Sequence, residues 1–121
     1  MNRIQLLTIL FLSVSAEAWN GCDTPIGKMT TDAMGMSSTI YVECKELKGI
    51  TKAEAADLIR VILEKQRPTA NEIFIFFVAS KDYVGVLDIP AQYYVGDYYN
   101  IMNKLTIWPR VSGKTEAISI K

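Results

Sequence analysis

The side chains of this chain best suited to recognition chemistry are tyrosines. Tyr93, Tyr94, Tyr98 and Tyr99 fall within one short stretch, with Tyr83 before them and Trp108 after. Tyrosine and tryptophan are enriched in recognition surfaces because they bring large contact area at small entropic cost. The same residues can also serve the fold alone, by pairing across strands. Strict alternation along a strand puts Tyr94 and Tyr98 on one face and Tyr93 and Tyr99 on the other. Tyr93, Tyr94, Tyr98, Tyr99 and Trp108 are therefore the candidate binding residues.

Other chemistry is thinly supplied. The chain has no histidine, which removes Ser-His and Cys-His nucleophilic pairs, His-based metal sites and the usual proton shuttle. Its two cysteines cannot complete a structural zinc site, which takes four ligands. Gly113-Lys114-Thr115 resembles the end of a phosphate-binding loop, but Trp108 stands where that motif needs glycine, and a strand pattern follows where it needs a helix. Carboxylates remain: Glu43 and Glu46 flank Cys44, and Asp82, Asp88 and Asp97 lie further on. A glycosidase needs two of them about 5 to 9.5 Å apart across a cleft, whereas charged residues at strand edges and turns are normally just solvated. No catalytic residue, metal or cofactor is expected.

The compartment is read from the N-terminus. Arg3, the apolar run from Leu6 to Val14 and Ala16-Glu17-Ala18 form the three parts of an export signal with an A-x-A cleavage site. The run is shorter than the ~20 residues that span a bilayer, so no stable membrane insertion is expected after cleavage. Cleavage after Ala18 leaves roughly 100 residues, enough for one core. In an oxidising compartment, periplasmic or extracellular, Cys22 and Cys44 have one possible pairing and are expected to form a disulfide. Basic and acidic residues balance at 13 each, so nothing draws the chain to nucleic acid.

The elements that must position the tyrosines follow from periodicity. Residues 19–38 are rich in turn formers and read as an irregular lead-in, and residues 39–121 read as an α+β domain. Thr39 to Leu47 alternates like a strand with one apolar face. Thr51-Lys52-Ala53-Glu54 is a capping box, and Ala55, Leu58, Ile59, Ile62 and Leu63 recur at helical spacing as far as Gln66, before Pro68. Ile73 to Val78 is apolar on both faces, as a covered central strand should be. Tyr83 to Leu87 is ambiguous between strand and loop. Gln92 to Tyr99 reads as a strand with Gly96 as a bulge or close-approach point, followed by strands at Leu105 to Trp108 and Thr115 to Ile120. The fold class is α+β: a single small domain, β-α-β followed by an antiparallel meander, with one main helix packed on one face of the sheet.

One helix covers only one side of strand 73–78. The Met-rich lead-in or a second chain, a homodimer included, is needed for the other. The functional expectation is a small exported protein that catalyses nothing and binds another macromolecule, most readily a protein, as an inhibitor, immunity-type or accessory protein does. The alternatives are a carboxylate-dependent cell-wall glycan hydrolase and a small-ligand carrier.

Overall fold

The helix forms where its capping signal placed it. The structure is a computed structural model and describes residues 19–22, 27–108 and 115–120. Helix α1 (Lys52–Gln66) opens with the Glu54 N–H donating to Thr51 Oγ1 at 3.1 Å while the Thr51 N–H donates to Glu54 Oε1 at 3.0 Å. Two orphan amides are thereby satisfied. Arg67 ends the helix in the left-handed region, its N–H donating to the Leu63 carbonyl at 2.8 Å, and Pro68 prevents continuation. Ala55, Leu58, Ile59 and Ile62 are the buried stripe. On the outer side Arg60 pairs with both Asp57 and Glu64, solvent-screened contacts that add little to stability.

The strands are β1 (Gly27–Thr31), β2 (Ser37–Glu43), β3 (Glu72–Val78), β4 (Tyr94–Tyr99), β5 (Lys104–Ile107) and β6 (Glu116–Ser119). They make one sheet in chain order. Every neighbouring pair is antiparallel except β2 and β3, which α1 connects as parallel neighbours. The expected β-α-β unit and meander are both present. Among the described residues no helix is long and apolar enough to cross a membrane.

The helix side of the sheet is built from register rows. Ile40, Ile75, Tyr98, Leu105 and Ile118 stand opposite one another across successive strands, and Val42, Phe77, Gly96 and Ile107 form a second row. Ile40, Ile75, Phe77 and Leu105 are fully buried there with Leu58 and Ile62 of α1. Six strands at ~4.8 Å spacing span ~24 Å, and the 15 residues of α1 are ~22 Å long. One helix can thus reach from edge to edge, and α1 does touch both β1 and β6.

The lead-in departs from expectation. Residues 27–31 are not irregular but form β1, an edge strand beside β2. Its signal is weak because Lys28, Thr30 and Thr31 are solvated, which leaves no apolar period to read. The turn that closes the hairpin is held by Asp32, whose Oδ1 accepts the Met36 N–H at 2.9 Å and the Ser37 N–H at 3.3 Å. Residues 19–22 are fastened over the end of β2. The Cys22–Cys44 disulfide is formed, the Lys45 N–H donates to the Gly21 carbonyl at 2.9 Å, and the Trp19 indole N–H donates to the Glu46 carbonyl at 2.9 Å. The export signal over 1–18 and the Gly113-Lys114 pair lie outside the described residues.

Among the described residues, neither the lead-in nor a second layer covers the side of the sheet away from α1. The β3–β4 connection, carrying 3-10 turns at Lys81–Tyr83 and Ala91–Tyr93 in place of a strand, reaches across the upper part as far as β1. Gly85 packs there on the Lys28 side chain, so close that a Cβ would sit 3.1 Å from Lys28 Cδ. Tyr41 and Val78, which point to this side, are accordingly buried.

Candidate functional site

The site is set by one extra residue. In a regular strand Tyr94, Gly96 and Tyr98 would share a face. Pairing of β3 with β4 instead runs from Phe77 opposite Gly96 to Val78 opposite Tyr94, leaving Val95 without a partner. Val95 and Gly96 are both buried, and both turn toward the helix side: Val95 belongs to the core, and a Cβ on Gly96 would touch Leu47. This is a β-bulge, in which two residues of one strand oppose one of the other. Its effect is to return Tyr94 to the outer face, together with Asp97 and Tyr99.

That corrects the alternation reading. Tyr94 and Tyr98 do not share a face. Tyr98 is 5% exposed in the helix-side core, with its hydroxyl donating to Asn103 Oδ1 at 3.0 Å. Tyr93 belongs to the β3–β4 connection, where its ring stacks on Tyr83 at 4.6 Å. Tyr94, Tyr99 and Trp108 are the three candidates that the fold brings to one surface.

Phe74 and Phe76 of β3 join them there. Phe74 and Tyr99 stack face to face, with centroids 4.5 Å apart and planes 4° from parallel. Phe76 meets Tyr41 at 5.6 Å and Tyr94 edge-on at 6.0 Å, and Tyr94 meets Trp108 at 6.0 Å. The result is a bed of rings across β2 to β5. Phe74, Phe76, Tyr94 and Tyr99 are half-buried, and Trp108 is 42% exposed.

Two carboxylates hold the polar tips of these rings. Asp97 Oδ2 accepts the Tyr94 hydroxyl at 2.7 Å and the Trp108 indole N–H at 2.8 Å. Glu72 Oε2 accepts the Tyr99 hydroxyl at 2.6 Å. These anchors fix ring orientation before anything binds, which lowers the entropic cost of recognition. Sequence reading missed Phe74 and Phe76 as surface residues, because an apolar strand reads as buried on both sides. Asp97 was visible only as a solvated carboxylate.

The phenols carry a pH signature. Burial and then the hydrogen bond to Asp97 push Tyr94 well above the ordinary tyrosine range. The hydrogen bond to Glu72 and then burial raise Tyr99, and burial raises Tyr98. The folded state therefore keeps protons that the unfolded chain loses near pH ~10. Stability from these groups is fully present below that value and falls as pH rises above it. Denaturant midpoints taken from neutral to strongly alkaline pH should fall less steeply for Tyr94→Phe than for the unsubstituted chain. Identical slopes would remove Tyr94 from this account.

Glu46, one of the carboxylates singled out by sequence, turns inward on its own loop and accepts the Leu47 and Lys48 amides at 3.1 and 3.0 Å. Asp82 sits in the first 3-10 turn and Asp88 lies exposed in the same connection. Among the described residues no three Cys, Asp or Glu side chains gather in a group that could hold a metal ion. No protein-family model, no curated protein and no solved structure matches this chain.

Proposed function

We propose that this is a small exported protein that catalyses nothing and binds another protein through the sheet face turned away from α1. The observation that carries the reading is the aromatic bed of Phe74, Phe76, Tyr94, Tyr99 and Trp108. These rings are large, pre-oriented and partly exposed, on a face over which the described residues lay no second layer. Side chains of this kind, in a well-packed and partly desolvated patch, carry most of the binding energy in protein interfaces. Export is supported by the leader-like pattern of residues 1–18 and by the Cys22–Cys44 bridge, which persists in oxidising compartments. An inhibitor, an immunity-type protein or an accessory subunit would use such a face.

The test is retention of a partner from the exported-protein fraction of the source cells by the immobilised chain. Tyr99→Ala and Trp108→Ala should each weaken retention by at least about tenfold, the scale of a hot-spot truncation. Alanine at Glu64, exposed on the outer side of α1, should leave it unchanged. Equal retention by all three variants would refute the surface.

A further inference from the structure

We infer that the partner docks a cationic side chain, an arginine by preference, on the Asp97 carboxylate beside Tyr94 and Trp108. This rests on the binding face proposed above and deepens it.

The argument begins with charge. Asp97 and Glu72 both lie on the outer face, half-buried among rings, and each receives only neutral donors. Among the described residues the ion pairs are those of Arg60 on the helix, so none of their cations sits against either carboxylate. Among the described residues, Lys28 on this face packs under Gly85, and Lys104 lies at the end of β5, opposite Tyr99. Bonded only to neutral donors among the described residues, each carboxylate keeps its charge available to a cation that a partner brings.

Geometry supplies the second part. Tyr94 and Trp108 both occupy Asp97 Oδ2, whereas Oδ1 accepts no hydrogen bond from the described residues. No side-chain oxygen among them is both buried and unpartnered, so Oδ1 reaches solvent. A free carboxylate oxygen next to an exposed indole and a fixed phenol offers an ionic hydrogen bond and aromatic surface together. A guanidinium uses both at once, since its planar fork bonds carboxylates and its face stacks on rings. Phosphate-bearing partners would meet Asp97 and Glu72 as like charges.

The experiment follows the Trp108 indole N–H resonance of the intact chain carrying Trp19→Phe, so that the signal is unambiguous. The probes are a blocked Gly-Arg-Gly peptide, its citrulline counterpart, which is neutral and nearly isosteric, and an oligomer of N-acetylglucosamine. The arginine peptide should shift the resonance saturably, with an affinity about tenfold above that of the citrulline peptide. Asp97→Asn keeps an oxygen for Tyr94 and Trp108 and should reduce arginine affinity about tenfold to the citrulline level. Equal affinities for arginine and citrulline would overturn the inference, and so would a response to the glycan alone, which would reassign the site to carbohydrate. If the arginine preference fails while Tyr99→Ala and Trp108→Ala still lose the partner, only the cationic anchor is wrong. If those variants also keep the partner, the face itself is wrong.

Discussion

Gly96→Val is expected to destabilise the fold by about 3 kcal/mol and to dismantle the binding face with it. A Cβ at this position would lie 2.6 Å from the Thr106 carbonyl oxygen and 2.9 Å from Leu47 Cδ1. The first is backbone of the paired strand β5 and cannot rotate away. The second belongs to a fully buried side chain of the core. Overpacking at such a site costs ~1–3 kcal/mol, at the upper end when the obstacle is main chain. The chain can relieve the clash by splaying β4 from β5 or by losing the bulge. Without the bulge, Tyr94 and Asp97 would stand on opposite faces of the strand, so Tyr94 would leave Asp97. Urea denaturation should show the loss of stability, and the variant should lose partner retention even under conditions where it is folded. A change within ~0.5 kcal/mol would mean that the close approach at Gly96 is not a structural requirement.

Removing the disulfide should have an effect of similar size by a different route. Cys22 and Cys44 are separated by 22 positions in the chain, and closing a loop of that length in the unfolded state is worth ~3 kcal/mol in the chain-entropy model. For a domain of this size 1 kcal/mol moves the melting temperature by ~4–8 °C, so the double substitution Cys22→Ala with Cys44→Ala should lower Tm by about 12–24 °C. Residues 19–22 should then detach from the loop after β2, because the Gly21 and Trp19 contacts hang on this tether. Calorimetry of the oxidised and substituted chains reads the first effect, and a red shift of Trp19 emission reads the second. A drop of only a few degrees would show that the hydrogen bonds of residues 19–22 hold the segment without the bridge.

Much of the scaffold was legible because its signals are local. Thr51 and Glu54 define the start of α1 within a single turn, and Pro68 bars its extension. Ile73 to Val78 announced itself as the central strand by being apolar on both faces, and two cysteines allowed one bridge. What failed to show depends on long-range pairing. The solvated edge strand β1 has no apolar period and gains its register from β2 and from the turn at Asp32. The Tyr83–Leu87 stretch has strand-like composition but is drawn into turns that pack against Lys28. The tyrosine cluster was visible as composition, yet its division between faces depended on whether Gly96 marked a bulge. Pairing with β3 resolves it: one unpartnered residue, Val95, sends Tyr98 into the core and brings Tyr94 to Asp97. Those two side chains are three positions apart and would stand on opposite faces of an uninterrupted strand.

The central claim is that the partner sits on the aromatic face. The most direct measurement is collisional quenching of Trp108 emission in the chain carrying Trp19→Phe, free and saturated with partner. Trp108 is 42% exposed in the free chain, so the quencher should reach it readily there and several-fold less once the complex forms. Unchanged quenching in a complex that is demonstrably formed would place the partner elsewhere and contradict the account.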